Sequence, residues 1–183
     1  MPTPGLHAHL FVITGGPGAG KTTLIDALSA RGERCFGEAG RAIIREQRAI
    51  GGTALPWADR DAYWRAMFEK DLAAHHAAAI GPQRAFFDRG LPDLLGYAAL
   101  EGLRPPLADL REGARARYAP LVFVAPPWRE IYARDTERLQ DWDEAVRTHD
   151  AVTRAYADQG YQLKDLPLAN VARRVEFVLN AVA

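Results

Sequence analysis

The stretch GGPGAGKT, from Gly15 to Thr22, constrains the fold of this chain more than any other part of the sequence. It fits the pattern G-x-x-x-x-G-K-[ST] at every required position. It follows the short apolar run HLFVIT, residues 9–14, and opens a segment with helical spacing at residues 21–30. A strand, then a glycine-rich loop, then a helix is the setting in which this pattern binds phosphate. A glycine-rich turn without a ligand is the alternative, and the agreement between motif and setting disfavours it.

Each residue type in this loop has a physical role. Glycines let the backbone curl so that its N–H groups face phosphate oxygens, and the helix N-terminus adds a favourable dipole. We expect Lys21 to reach the β- and γ-phosphates of ATP and Thr22 to offer its hydroxyl to Mg²⁺. The predicted nucleotide-binding residues are Gly15, Gly16, Pro17, Gly18, Ala19, Gly20, Lys21, Thr22 and Thr23.

Strand-like and helix-like segments alternate along the whole chain. The predicted strands cover residues 9–14, 34–37, 84–88, 121–125 and 161–164. The predicted helices cover residues 21–30, 40–50, 59–80, 93–100, 107–117, 129–140, 142–158 and 170–180. Such alternation is typical of an α/β protein whose parallel sheet carries helices on both faces. The sequence thus predicts a five-stranded P-loop NTPase fold in one domain, residues 1–183, without an internal linker.

Composition limits the classes of partner. Lys plus Arg and Asp plus Glu number 23 each, so no excess of positive charge favours a nucleic-acid partner. No segment approaches the roughly 20 apolar residues of a membrane span, and the N-terminus does not resemble a signal peptide. The single cysteine, Cys35, excludes an internal disulfide. We expect a cytoplasmic protein.

A second acidic position follows the third predicted strand. In RAFFDRG, residues 84–90, Asp88 ends an apolar run and would lie beside the phosphate loop, where a carboxylate can hold Mg²⁺. Alternatively, Asp88 caps the next turn. Arg89 is a candidate for stabilising charge on a transferring phosphoryl group, and a structural ion pair is the equal alternative.

Absent motifs narrow the P-loop classes. The chain contains no NKxD for guanine recognition and no LSGGQ-like signature of transporter ATPases, which leaves small ATPases and small-molecule kinases. In FGEAGR, residues 36–41, Glu38 follows the second strand, where a carboxylate can accept a proton from an attacking hydroxyl. Arg41 is a candidate for holding an anionic part of an acceptor. The alternative for Glu38 is a helix cap favoured by the dipole.

Two arginines after the fourth strand indicate a lid. Arg134 and Arg138 are four residues apart and would share one helical face, where kinases of nucleotides carry a mobile lid. The alternative is a solvated charged helix. On the acceptor side, Trp57, Tyr63 or Trp64 are candidates for stacking on a flat ring, Trp64 foremost, although such aromatics are more often core residues.

Five segments together resemble a known family. FVITGGPGAGKTTLIDAL, GEAGRAIIREQ, FFDRGLPD, the ERL of the lid and NVARRVEFVL are similar to an AAA-labelled P-loop ATPase/kinase family related to the ribosylnicotinamide-kinase domain of NadR. Deoxynucleoside kinases are more distantly similar. The resemblance covers nearly the whole chain and implies a kinase-like fold with ATP and Mg²⁺. By position, Lys21, Thr22 and Asp88 match the family's phosphate and Mg²⁺ residues, and Glu38 with Arg41 matches its E-x-x-R pair.

The sequence therefore predicts an ATP- and Mg²⁺-dependent phosphotransferase. Its acceptor would be a small hydroxyl- or phosphate-bearing molecule, nucleoside- or nucleotide-like. The rival hypothesis is a nucleotide-controlled switch that binds a protein or lipid partner, with slow hydrolysis. A nucleic-acid end kinase is disfavoured by the balanced charge.

Overall fold

The computed structural model describes residues 7–132 and 141–183. Its strands are β1 (Leu10–Gly15), β2 (Arg34–Phe36), β3 (Ala85–Asp88), β4 (Leu121–Ala125) and β5 (Gln162–Asp165). Its helices are α1 (Lys21–Ala30), α2 (Ala39–Ile50), α3 (Arg60–Ala79), α4 (Leu91–Glu101), α5 (Leu107–Arg115), α6 (Trp142–Asp158) and α7 (Val171–Ala181).

The strands form one parallel sheet in the order β2-β3-β1-β4-β5. The predicted five-stranded parallel sheet is confirmed. In the register of β1 and β3, Ile13 lies opposite Asp88, so the carboxyl end of β3 lies beside the start of the phosphate loop. The strand order changes direction at β1, and this edge of a doubly wound sheet is where such folds bind ligands.

Side chains of the strands alternate between two apolar layers. In β1, Leu10 and Val12 belong to the layer formed with α2, α3 and α4, whereas Ile13 belongs to the layer formed with α1 and α7. This alternation follows from the two-residue period of a strand, and near-continuous apolar runs result when both faces are covered. No helix in the described ranges is long and apolar enough to cross a membrane.

The predicted helix boundaries agree with the structure to within one residue except at three places. Helix α5 ends at Arg115 rather than at residue 117. Helix α4 begins at Leu91 rather than at residue 93, because the Asp93 side chain accepts a hydrogen bond from the backbone N–H of Gly90 at 2.9 Å and so caps the first turn. The helix predicted at residues 129–140 is not formed at residues 129–132, and the remainder lies outside the described residues. At α7, the Asn170 side chain accepts a hydrogen bond from the backbone N–H of Arg173 and so caps the helix.

Candidate active site

The phosphate loop has the backbone that its glycines predict. Gly18 has φ of 74°, a left-handed conformation, and a Cβ there would lie 2.5 Å from Cδ2 of Tyr132. Glycine is required on both grounds. The side chain of Lys21 is buried, and its Nζ donates a hydrogen bond to the carbonyl oxygen of Gly16 at 2.7 Å. The ammonium group is thus held inside the loop that would surround a phosphate.

Asp88 contacts the loop from the end of β3. Its Oδ2 accepts a hydrogen bond from the Thr22 hydroxyl at 3.0 Å, while its buried Oδ1 has no partner among the described residues. Burial raises the pKa of Asp88, and Lys21 partly offsets that effect. The capping alternative is not supported, because Gly90 is the N-cap residue of α4 and Asp93 provides the capping side chain.

These oxygens fit a magnesium ion better than a closed protein metal site. The structure contains no cluster of three or more His, Cys, Asp or Glu side chains arranged to hold a metal within residues 7–132 and 141–183. Mg²⁺ is typically held by one or two protein oxygens together with water and substrate phosphates. The Thr22 hydroxyl and the unpartnered Oδ1 of Asp88 match that requirement.

Arg89 is held in a strained backbone conformation. Its φ is 75°, although it is not glycine, and its N–H donates to the carbonyl oxygen of Ile13 at 3.0 Å. Its guanidinium lies 3.5 Å from Glu38 and 3.1 Å from Asp93, atom to atom. Burial alone would lower the pKa of Arg89, but the carboxylates of Glu38, Asp93 and Asp88 outweigh this and raise it. Arg89 is therefore a cation between two carboxylates, at a position where backbone strain often marks function.

Glu38 occupies the N-cap position of α2, but its side chain makes no capping hydrogen bond. Instead it lies between Arg89 and Arg41, with an Oε2 to Nε distance of 3.6 Å to Arg41. The two arginines hold the carboxylate, and the alternative of a side-chain helix cap is not observed. The structure therefore brings Glu38, Arg41 and Arg89 together, whereas the sequence analysis paired only Glu38 with Arg41.

Asp93 joins this site to the core, and the sequence analysis did not single it out. Its carboxylate accepts hydrogen bonds from the hydroxyls of Thr14 at 2.5 Å and Tyr156 at 2.6 Å, besides its contacts with Gly90 and Arg89. The DRGLPD stretch contains the signal, because a proline followed by an acidic residue in the first helical turn is typical of a capped N-terminus. The contacts with Thr14 and Tyr156 depend on distant segments.

A pocket of about 460 Å³ opens beside the loop, and we call it the helical pocket. Pro17 of the loop contributes to its wall, and most of the rest comes from the region of α2, α3, α4 and α6. Its polar lining residues include Glu38, Arg41, Asp71, Arg89 and Asp93. Its aromatic lining residues are Trp57, Tyr63 and Tyr97. The volume is within the range of about 300–1,000 Å³ of small-molecule sites.

The structure does not place Trp64 in the helical pocket, which corrects its predicted role in substrate binding. Trp64 is 3% exposed, stacks on Phe68 at 5.4 Å between ring centroids, and donates its indole N–H to the carbonyl oxygen of Leu94. Tyr63, one residue earlier, lines the pocket instead. Adjacent helical residues point about 100° apart, so only one of the two can face the cavity.

A second cavity, which we call the loop cavity, also borders the phosphate loop. It has about 550 Å³ and is lined by loop residues together with Trp128, Arg174 and residues 169–171. Arg174, which the sequence analysis missed, is 2% exposed and donates to the carbonyl oxygens of Ala19 at 2.8 Å and Pro167 at 2.9 Å. Its guanidinium lies over the Trp128 ring at 4.9 Å, and burial lowers its pKa.

The two lid arginines, Arg134 and Arg138, lie outside the described residues. The residues that flank this segment lie at the phosphate loop. Tyr132 lies close to Gly18, and its ring meets the ring of Trp142 edge-on at 5.5 Å between centroids. The predicted role of Arg134 and Arg138 stays a prediction.

Comparison with known proteins agrees with this fold. A family model described as "AAA domain" matches residues 10–174, whereas no curated protein sequence matches the chain. The structure is similar to NadR protein in complex with NR, with a TM-score of 0.67 and 20% identity. That match covers 96% of this chain and 50% of NadR, so the chain spans about half the length of that protein.

Two further solved structures are similar over nearly their full length. Deoxyadenosine kinase from M. mycoides has a TM-score of 0.64 and 15% identity, covering 94% of this chain and 98% of that one. Thymidylate kinase from Ehrlichia chaffeensis has a TM-score of 0.64 and 11% identity, covering 97% and 100%. These likenesses show the fold of P-loop nucleoside and nucleotide kinases. On the match over residues 10–174, the chain belongs to the P-loop family described as "AAA domain".

Proposed function

We propose that this protein transfers the γ-phosphoryl group of ATP to a hydroxyl of a small acceptor, with Mg²⁺. One observation carries the proposal. Two cavities border one phosphate loop: Glu38 lines the helical pocket, and Arg41 lines both the helical pocket and the loop cavity. A nucleotide switch requires only the loop cavity, where ATP would bind. Group transfer also requires an acceptor site that meets the nucleotide site at the γ-phosphate.

The residues divide between the two substrates. Lys21 and the loop backbone would hold the phosphates of ATP in the loop cavity, and Thr22 with Asp88 would hold Mg²⁺. The bound ion would neutralise charge on the phosphates. In the helical pocket, the oxygen of the acceptor hydroxyl forms a bond to the γ-phosphorus while Glu38 accepts the hydroxyl proton. The bond between the γ-phosphorus and the bridging oxygen breaks, and that oxygen leaves with ADP. Arg89 keeps the Glu38 carboxylate in position.

The helical pocket supports an acceptor with a flat or apolar part. Tyr63 and Tyr97 line it with ring centroids 6.0 Å apart, and apolar side chains such as Met67 and Leu94 border the same space. The solved structures similar to this chain include a deoxyadenosine kinase, a thymidylate kinase and a shikimate kinase. A nucleoside- or nucleotide-like acceptor is therefore our first choice.

The test is ATP consumption with Mg²⁺, with and without a pool of nucleosides, nucleotides and small alcohols, and mass spectrometry of the products. We expect a phosphorylated pool member and acceptor-dependent turnover. Replacing Glu38 with Gln should lower kcat by about 10²- to 10⁴-fold, the contribution of a general base, with ATP affinity within a few fold. Slow hydrolysis that no pool member stimulates would instead support the switch.

A further inference from the structure

Asp71 lies at the end of the helical pocket that is farthest along α3. Tyr63, Met67 and Asp71 follow one another at intervals of four residues, and all three line the pocket. One face of α3 therefore borders the cavity over about two turns. The next residue at this spacing, His75, is 2% exposed and packs against Tyr118 in the core. Asp71 is thus the last residue on this face of α3 that borders the pocket.

The carboxyl group of Asp71 has no hydrogen-bond or ion-pair partner within residues 7–132 and 141–183. Among the residues described, no hydrogen-bond donor or cation lies within bonding range of it. Asp93, in the same wall, receives four such contacts. Burial raises the pKa of Asp71 well above its ordinary value, Asp93 and Glu38 raise it further, and Arg89 offsets only part of this. An unpartnered carboxyl in such surroundings costs free energy in the empty protein.

The charged groups that act on Asp71 contact other charged groups of the site, and a further cation, the exposed Arg147 of α6, also lines the pocket. The guanidinium of Arg89 faces Glu38 and Asp93, and Arg41 faces Glu38. Arg60 pairs with Glu101 at 3.1 Å. A phosphate or carboxylate on the acceptor would compete with these pairs and would meet the Asp71 carboxyl. A hydroxyl or amino group would instead supply the hydrogen-bond donor that Asp71 lacks.

Building on the proposed phosphoryl transfer, we propose that Asp71 selects the acceptor by binding one of its hydroxyl or amino groups. The acceptor is then an uncharged or cationic compound with a second donor group besides the hydroxyl that receives the phosphate. Phosphate- and carboxylate-bearing analogues are rejected. A nucleoside has both the flat ring and the donors, so nucleosides are accepted and their monophosphates are not.

Kinetics provide the first test, with two acceptor pools at equal concentration. One pool holds the common ribo- and deoxyribonucleosides, and the other holds their 5′-monophosphates. We expect transfer to nucleosides only. D71N and D71A should raise the KM of the acceptor by about 10- to 100-fold, the loss of one hydrogen bond to a charged or buried partner, with little change in kcat. The matched control is E69Q, because Glu69 is exposed on the same helix; it should leave both constants unchanged.

Thermal unfolding of the ligand-free proteins provides the second test. A carboxyl that binds only a ligand makes no stabilising contact in the ligand-free protein. D71N and D71A should therefore have a Tm equal to or above that of the wild type. A lower Tm for both variants, with E69Q unchanged, would show a structural role and overturn the proposal.

The outcomes also separate this proposal from the function on which it rests. Arg147 is exposed and lines the same pocket. If monophosphates were phosphorylated in preference to nucleosides and R147A abolished that transfer, selection by Asp71 would be overturned, whereas the proposed kinase activity would be supported. ATP binding without transfer to either pool would count against both. Nucleoside transfer with an unchanged KM in D71N would overturn only the role of Asp71.

Discussion

The hydroxyl of Thr22 donates a hydrogen bond to Oδ2 of Asp88 at 3.0 Å, and Oδ1 of the same carboxylate is buried without a partner among the described residues. These two residues are 66 positions apart in the chain. The pairing arises because β1 and β3 are neighbours in the sheet, with Ile13 opposite Asp88. The unpartnered Oδ1 and the raised pKa of Asp88 both indicate a carboxylate that is stabilised by a bound cation and not by contacts within the ligand-free protein.

Replacing Asp88 with Asn tests this arrangement. We expect ATP turnover to fall by about 100-fold or more, since a metal contact contributes several kcal/mol to charge stabilisation. The Tm increase caused by Mg²⁺ together with ATP should be lost, while the increase caused by ATP in EDTA should remain. D26N is the control, because Asp26 is exposed on α1. An undiminished response of D88N to Mg²⁺ would contradict the metal assignment.

Asp93 should be more important for stability than any residue that contacts it. D93N weakens a buried network that includes Thr14, Tyr156 and Arg89. We expect the free energy of unfolding to fall by about 3–5 kcal/mol, the cost of breaking a buried ion pair. Y156F removes one bond to the same carboxylate and should cost about 1.5–3 kcal/mol. Urea denaturation measures both, and equal values for the two variants would be incompatible with a hub at Asp93.

Arg174 should affect nucleotide binding from outside the motif. Its hydrogen bonds to the carbonyls of Ala19 and Pro167 connect the phosphate loop to the segment before α7. In R174A we expect ATP affinity to fall by about tenfold, or 1.4 kcal/mol, and the free energy of unfolding to fall by about 1–3 kcal/mol. Calorimetric titration and urea denaturation provide the two values. R173A is the matched control, because Arg173 is exposed, and an equal effect there would argue against this role.

Stability should fall as the solution is acidified below about pH 6.5, the ordinary pKa of histidine. His75 is buried, one ring nitrogen lies 2.8 Å from the carbonyl oxygen of Arg117, and burial lowers its pKa. The pKa of His7, whose ring lies 5.1 Å from His75, is also lowered by burial. The unfolded chain therefore binds protons that the folded protein does not. For the buried His75, this costs up to about 1.4 kcal/mol per pH unit between the unfolded and folded pKa values.

Tm measured between pH 7.5 and pH 5 checks this sign. H75Q should reduce the slope of Tm against pH, whereas H76Q, at an exposed neighbour on the same helix, should retain it. An unchanged slope in H75Q would show that another group is responsible.

Much of the site could be predicted because its signals are local. The phosphate loop is a continuous stretch whose backbone conformation follows from its own glycines. Asp88 and Glu38 each follow a strand, and parallel strands carry their carboxyl ends to one edge of the sheet. For these residues, position along the chain already implies position in space, so the five-stranded fold, Lys21, Thr22, Asp88 and the Glu38–Arg41 pair were accessible from the sequence.

Only the tertiary structure decided which side chains face the cavities. Tyr63 and Trp64 have similar chemistry and adjacent positions, and the packing of α3 against α4 places one in the pocket and the other in the core. The partners of Asp93, the contacts of Arg174 and the isolation of Asp71 likewise depend on residues far apart in sequence. The physical reason is that hydrogen bonding and desolvation depend on three-dimensional neighbours, which no periodicity along a single chain determines.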